Sequence, residues 1–287
     1  MSPAATFRAS MARGNILMAP GAMDSLTARL VERAGFPAVY MTGLGATASR
    51  LGTPDIGLLS QTEMTEHARN MARAARIPII ADADTGYGGP SNIQRTVREY
   101  IQAGVAAIHL EDQVAPKRCG QLAGIRLINA EEAAGRLRCA IEARGADDLV
   151  IIGRTDAMPA MGPVEAIRRA MLYREAGVDL VFVDGIKTIA EVEAVAKGVP
   201  GPKVVSIVDG NETVRLTARD LEQMGFVVVL YAVTALFAAI KGVETALAHL
   251  HASGTPAGSP AAATYAELCD IVDLRFHQDL DEKFGRG

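Results

Sequence analysis

Short apolar runs rich in β-branched residues recur along the chain at near-regular intervals. They are ILMAP from Ile16, AVYMTG from Ala38, IPIIADAD from Ile77, AAIHLED from Ala106, LVIIGRTD from Leu149, LVFVDG from Leu180, KVVSIV from Lys203 and FVVVLYA from Phe226. Within each run the apolar residues are nearly continuous rather than alternating, the pattern of parallel strands covered on both faces. Between them SLTARLVERAG, SNIQRTVREYIQAG, EEAAGRLRCAIEARG, GPVEAIRRAMLYREAG and ARDLEQMG carry helical periodicity, and several close on the Gly expected just past a helix end. Eight βα units in series predict a single (β/α)8 barrel of the TIM type, with an open doubly wound sheet as the competing arrangement.

A chain of 287 residues, 49% of them hydrophobic, suits one such domain with a sizeable core. The barrel core is expected over about 15–250, followed by a Gly/Pro/Ser/Ala linker at 252–263 and a helical extension at 264–287. That extension could cover the barrel or pack on a neighbouring subunit. The formal charge of −4 gives no basic face for nucleic acid or an anionic membrane, which leaves a small molecule as the expected partner. Cys119, Cys139 and Cys269 are odd in number and lack CxxC spacing, so neither a disulfide framework nor a structural zinc site is expected; a reducing cytoplasm fits. The N-terminal stretch lacks the apolar region of a signal peptide. No apolar run reaches the roughly 18 residues of a membrane span, and Phe226–Ile240, the most apolar stretch, reads as a buried strand entering a helix.

Polar residues gather where the runs end, at Thr42 and Gly43, Asp82 and Asp84, Glu111 and Asp112, Arg154 to Asp156, Asp184 and Ser206. In a barrel these ends form the catalytic face. Asp82 and Asp84 share strand parity and precede glycines, so their like charges call for a cation or a shared proton; hard oxygen ligands suit Mg²⁺. Solvated loop carboxylates or helix caps are the bland alternative. Glu111 adds a third carboxylate, while Asp112, of opposite parity, reads as structural. Cys119 lies beside Lys117 and Arg118, cations that favour thiolate, and could move a proton at carbon or attack as a nucleophile; a lone Cys is more often inert filler. Arg154 offers a planar fork for a carboxylate or, equally, a salt bridge to Asp156 or Asp184. The five histidines form no metal-ligand spacing and read as structural or surface groups.

The motifs GFPAVYMTGLG, LGTPDIG, ADADTGYG, LEDQVAPKRCG, GRTDA and DLDEKFGR occur in order, over a stretch from about Asn15 to Phe284. As a set they resemble the isocitrate lyase/phosphoenolpyruvate mutase superfamily, most closely its short methylisocitrate lyase-like branch. The resemblance implies a (β/α)8 barrel in a homotetramer, a dimer of dimers that exchange the eighth helix, with the KRCG motif on a gating loop. It implies Mg²⁺, replaceable by Mn²⁺, ligated directly by Asp84 and through waters by Asp82 and Glu111. Thr42, Gly43 and Leu44 would receive the oxo-acid carboxylate, with Asp55, Gly120, Gln121, Asp184 and Ser206 completing the substrate-binding set. Cys119 takes the place of the catalytic acid/base, alongside Lys117, Arg118 and Arg154.

The implied reaction is retro-aldol or retro-Claisen cleavage of a 2-hydroxy di- or tricarboxylate to pyruvate or glyoxylate. Three departures bear on it: Gln121 replaces the His that follows KRCG in the lyases, Asp184 replaces Glu, and Ser206 and Val208 replace the strand-seven Asn-x-Thr. These leave barrel and metal intact but not substrate identity. Oxaloacetate decarboxylation or hydrolysis, a carboxyphosphonoenolpyruvate mutase-like reaction, and simple oxo-acid binding are the rival readings.

Overall fold

A computed structural model describes residues 1–260 and 262–285. Ala261 of the expected linker, and Arg286 and Gly287 of the expected extension, lie outside the described residues. In chain order the elements are α1 (Pro3–Met11), β1 (Leu17–Ala22), α2 (Ser25–Arg33), β2 (Val39–Met41), α3 (Gly43–Leu51), α4 (Gln61–Ala74), β3 (Ile79–Asp82), α5 (Pro90–Ala103), β4 (Ala107–Glu111), α6 (Ala130–Arg144) and β5 (Val150–Thr155). There follow α7 (Ala157–Met161), α8 (Pro163–Glu175), β6 (Leu180–Val183), α9 (Ile189–Gly198), β7 (Lys203–Ile207), a 3₁₀ turn at Glu212–Arg215, α10 (Ala218–Gln223), β8 (Val228–Tyr231), α11 (Thr234–Ser253), α12 (Tyr265–Ile271) and α13 (Leu274–Phe284). Two compact units divide the chain, Met1–Thr234 and Ala235–Gly287.

The first unit is a closed barrel of eight parallel strands in sequential order, as the repeated βα pattern predicts. The last strand returns to the first: Leu17 pairs with Val228 and Ala19 with Leu230. Residues of one parity point inward, and Leu17, Ala19, Tyr40, Ile80, Ala107, Val150, Ile152, Leu180, Phe182, Val204, Val228 and Leu230 fill the interior. The opposite parity, including Met41, Ile79, Ile108, Ile151, Val181 and Val205, packs outward with residues of the surrounding helices. Inward positions are therefore apolar through most of the barrel, and polar ones gather toward the C-terminal ends of β3 to β7, so a largely apolar floor carries a chemical rim.

The opposite mouth of the barrel is closed by α1, an element that the sequence reading did not anticipate. Ala4 and Phe7 of this helix join the interior cluster. Arg8 donates to Asp179 at 2.9 Å and to Asp148 at 3.3 Å, and Ser2 Oγ donates to Asp148 at 2.6 Å. Asp179 in turn accepts from the Ile151 N–H at 2.8 Å, which ties the latch to β5.

In the second unit Leu236 is the buried residue of α11, and α12 and α13 bury none among the described residues. Phe237, Ile240, Val243, Leu247 and Leu250 are exposed on α11, as are Tyr265, Leu268, Phe276, Leu280 and Phe284 further on. No helix among the described residues is long and apolar enough to cross a membrane.

Phe7 is fully buried, so Phe7→Ala is expected to cost about 3–5 kcal/mol through lost burial and the cavity left behind. Urea unfolding of wild-type and variant protein measures this directly.

Candidate active site

β3 ends at Asp82 and the chain turns at once, leaving Asp84 outside the strand with φ 45°, a left-handed conformation uncommon for a residue other than glycine. The Asp84 N–H donates to Asp82 Oδ1 at 2.9 Å, so this turn, not strand parity, brings the two carboxylates to one mouth. Strand register supplies the neighbours. Asp82 lies opposite His109 on β4, and Glu111 lies opposite Arg154 on β5. All of these side chains are buried.

Two cations hold the acids. Lys117 Nζ lies 2.8 Å from Asp55 Oδ1 and 2.6 Å from Asp84 Oδ1, the latter an ion pair without hydrogen-bond alignment. Arg154 Nη2 lies 2.8 Å from Asp156 Oδ1, 2.7 Å from Asp184 Oδ2 and 3.3 Å from Glu111 Oε2. The salt-bridge alternative for Arg154 is thus realised with both aspartates, and a ligand carboxylate would join an existing network. Asp156 is the acid that pins the guanidinium from two sides, through Nε and Nη2.

Asp112 is structural, as its parity implies. It accepts from Thr155 Oγ1, Tyr173 Oη, Arg169 Nη1 and the Asp156 N–H at 2.6–3.0 Å. The last bond orients Asp156 and, through it, Arg154.

Thr42 is the N-cap of α3 and accepts from the Gly45 N–H, while no acceptor among the described residues engages the N–H groups of Gly43 and Leu44. A helix N-terminus with free donors favours an anion. A Cβ on Gly43 would fall 2.4 Å from Asp82 Oδ2, so only glycine lets this turn approach the acids.

The loop carrying KRCG lies folded over the mouth. The Cys119 N–H donates to Asp55 O at 3.0 Å, and a Cβ on Gly120 would fall 2.5 Å from Asp184 Oδ2 and 2.9 Å from Asp156 Oδ1. Gln121 Oε1 accepts from Asn211 Nδ2 at 3.1 Å, a partner that no sequence motif marked. Ser206 is buried on β7 with inward parity. Arg118 does not join the cluster: it is exposed, and its guanidinium lies 3.5 Å from Ala123 O.

Burial sets most protonation states. It pushes Asp84 up to about 6, reinforced by Asp82 and Asp55 against Lys117. Burial also pushes Asp156 to about 6, with Asp184 adding to it, and raises Glu111 well above the usual carboxylate range. For Asp82 burial is outweighed by His109, Lys117 and Arg154, which hold it below that range. Burial pushes the Cys119 thiol up to about 11. Burial thus works against the thiolate that flanking cations would favour, with Lys117 engaged by Asp55 and Asp84 and Arg118 exposed.

Sequence reasoning read His109 as a structural or surface group and did not mark Tyr40; the two meet inside the barrel, with Tyr40 Oη 3.1 Å from His109 Nε2. The signal was present, since His109 stands two residues before Glu111 and shares its inward parity.

Among the described residues no three His, Cys, Asp or Glu side chains form a cage that encloses a metal ion by themselves. The donor set nonetheless fits a hard cation that keeps several waters. Asp84 Oδ1 and both carboxylate oxygens of Glu111 are buried without hydrogen-bond partners; Lys117 and Arg154 already lie within ion-pair distance of Asp84 Oδ1 and Glu111 Oε2, and such acceptors leave room for a further donor, bound water or a cation.

The family profile described as phosphoenolpyruvate phosphomutase matches residues 7–251. The chain belongs to this family, within the isocitrate lyase/phosphoenolpyruvate mutase superfamily. Among superfamily members it is 38% identical to 2,3-dimethylmalate lyase of Eubacterium barkeri over 288 residues, covering 100% of both chains. It is 37% identical to 2-methylisocitrate lyase of Bacillus subtilis, covering 99% of this chain and 93% of that protein. The solved structure of oxaloacetate acetylhydrolase with the inhibitor 3,3-difluorooxalacetate superposes with a TM-score of 0.94 at 33% identity, covering 100% of this chain and 98% of that one.

A thiol held near 11 reacts slowly at neutral pH. Iodoacetamide labelling of Cys119, followed by peptide mass spectrometry, is expected to accelerate about tenfold per pH unit from 7 to 10. An ordinary thiol, half ionised near pH 8.5, levels off by about pH 9.5, and such a plateau at Cys119 would contradict the buried-thiol assignment.

Proposed function

We propose that this enzyme is a Mg²⁺-dependent carbon–carbon lyase that cleaves a 2-hydroxy carboxylate, methylisocitrate-like or alkylmalate-like, to pyruvate or glyoxylate and a second carboxylic acid. The observation that carries this reading is the surplus of acid at the barrel mouth. Asp55, Asp82, Asp84, Glu111, Asp156 and Asp184 surround Lys117 and Arg154 beside the free N-terminus of α3. Such a cluster is relieved by a further cation or by protonation of some of its acids, and the helix end beside it favours an anion. A divalent ion and an α-oxygenated acid meet both demands.

Asp84 would hold Mg²⁺ directly, with Asp82 and Glu111 acting through its waters; Mn²⁺ would substitute. When bound there, the ion would supply Lewis-acid charge stabilisation at the 2-oxygen beside the substrate's carboxylate, lowering the cost of alkoxide formation. Gly43 and Leu44 N–H groups donate to that carboxylate, and Arg154 steadies charge at the opposite side. An ionised carboxylate of the mouth takes the 2-hydroxyl proton; as the C2–C3 bond breaks, the oxygen's electrons form the new carbonyl and the bonding pair passes to C3, delocalised into its own carboxylate. Cys119, protonated at neutral pH, delivers a proton to C3 and is left as thiolate. Gly120 closes the loop against Asp184 and Asp156 and so keeps water from competing for the carbanion.

Charge also bears on the substrate. Lys117 and Arg154 are both engaged by acids, Arg118 is exposed, and Val208 offers no side-chain donor. A third substrate carboxylate therefore gains no unengaged cation, and the dicarboxylate class is favoured over the tricarboxylate. Oxaloacetate hydrolysis or decarboxylation is the second reading, supported by the fold likeness to oxaloacetate acetylhydrolase and by the altered loop residue Gln121. The exposed apolar stripe of α11 and the unburied α12 and α13 support a homotetramer of helix-exchanging dimers. Three free cysteines suit a cytoplasmic location.

A screen of 2-hydroxy diacids and triacids, with oxaloacetate included, tests the reading by following pyruvate, glyoxylate and CO₂. Diacids are expected to turn over fastest, with activity lost to EDTA and restored by Mg²⁺; full activity after chelation removes the metal from the mechanism. Cys119→Ser is expected to lower lyase turnover by at least about 100-fold while pyruvate and Mg²⁺ still bind. Decarboxylation that survives the same substitution selects the second reading.

A further inference from the structure

One layer below the acids, inside the barrel, lies a polar pair to which no step above assigns work. His109 is fully buried and Tyr40 nearly so. The His109 ring Nε2 lies 3.1 Å from Tyr40 Oη. Its other nitrogen, Nδ1, has no hydrogen-bond partner and faces Asp82 Oδ1 at 3.7 Å, beyond hydrogen-bond length. Phe182 presents an edge-on contact to the imidazole, with centroids 5.8 Å apart at 76°. The ring is therefore held on defined sides and has little room to turn. Enclosed away from water, the ring is neutral, with one proton on one of its two nitrogens.

The surroundings discriminate between the two tautomers. With the proton on Nε2, the Nδ1 lone pair would oppose an ionised carboxylate in a water-poor interior, a repulsion with no solvent to screen it. With the proton on Nδ1, the N–H dipole points at Asp82, and Tyr40 donates its hydroxyl proton to Nε2. Both polar ends are then used, and the hydroxyl is not left without an acceptor.

We propose that Tyr40 and His109 form an orienting pair, in which the Tyr40 hydroxyl donates to Nε2 and the Nδ1–H of neutral His109 steadies the Asp82 carboxylate from below. His109 is then a positioning residue: it touches no substrate and acts through Asp82 on the cation and acid held above. The functional half of this inference rests on the lyase reading, whereas the tautomer does not.

Two measurements test it. In wild-type protein labelled with ¹⁵N-histidine, the buried imidazole is expected to show a protonated Nδ1 and an unprotonated Nε2 from pH 6 to 9; the reverse pattern overturns the proposal however any variant folds. In the second, Mn²⁺ affinity is read by electron paramagnetic resonance without substrate. His109→Leu is expected to weaken binding about 10- to 100-fold, while His109→Asn, whose amide N–H falls near the position of Nδ1–H, recovers most of the loss. Both variants leave Tyr40 equally unpaired, so their difference isolates the Nδ1 donor. A folded Leu variant that binds as wild type does, or Leu and Asn variants equally weak, overturns the positioning role. Wild-type protein that binds no Mn²⁺ at all refutes the metal reading instead, and the tautomer spectrum then decides this one.

Discussion

Crowding of negative charge in a water-poor cup is the constraint on which the rest of this structure depends. Six carboxylates share two cations at the C-terminal mouth of the barrel. Coulomb repulsion at low dielectric would scatter them were they not held by elements that cannot move independently. Strand register fixes Asp82 beside His109 and Glu111 beside Arg154. The turn at Asp84, the glycine at position 43 and the loop bearing Lys117 fill in the remainder. The perturbed acidities of Asp84, Glu111 and Asp156 are the cost of that arrangement, and strong perturbation of buried groups in a cleft is a recurring mark of a working site.

The barrel separates holding from reacting. Its lower interior is apolar and packed, so the inward positions one residue pair higher can carry charge without loosening the fold. Asp112 shows how the helical layer contributes. Facing outward, it gathers Thr155, Arg169, Tyr173 and the Asp156 backbone, and so sets the position of an acid on the other side of the strand. A substitution among these residues would disturb the mouth without ever reaching a ligand.

Much of this architecture was legible in the sequence because it follows from local pattern. Eight apolar runs marked the strands, and the polar residues ending six of them, from Thr42 to Ser206, marked the rim, down to the opposite parities of Glu111 and Asp112. What escaped depended on distant partners. No motif marks α1, whose apolar contacts and arginine latch exist only once strands far along the chain are in place. Neighbouring charge in the sequence suggested a thiolate at Cys119, but the side chains of Lys117 and Arg118 lead away from the sulfur and burial prevails. His109 was read as structural or surface because a lone histidine carries no spacing signal, although strand parity aimed it at the acids. Asn211 became visible only through its bond to Gln121.

The plug at the base of the barrel has a consequence for how the protein comes into being. Residues Ser2 and Arg8 find their partners at Asp148 and Asp179, 146 and 171 positions away. A ribosome therefore releases the plug long before its socket has been made, and the sheet cannot close until β8 reaches β1. Phe7 must wait, apolar and unsheltered, through most of synthesis, so the segment translated among the earliest is among the last to find shelter.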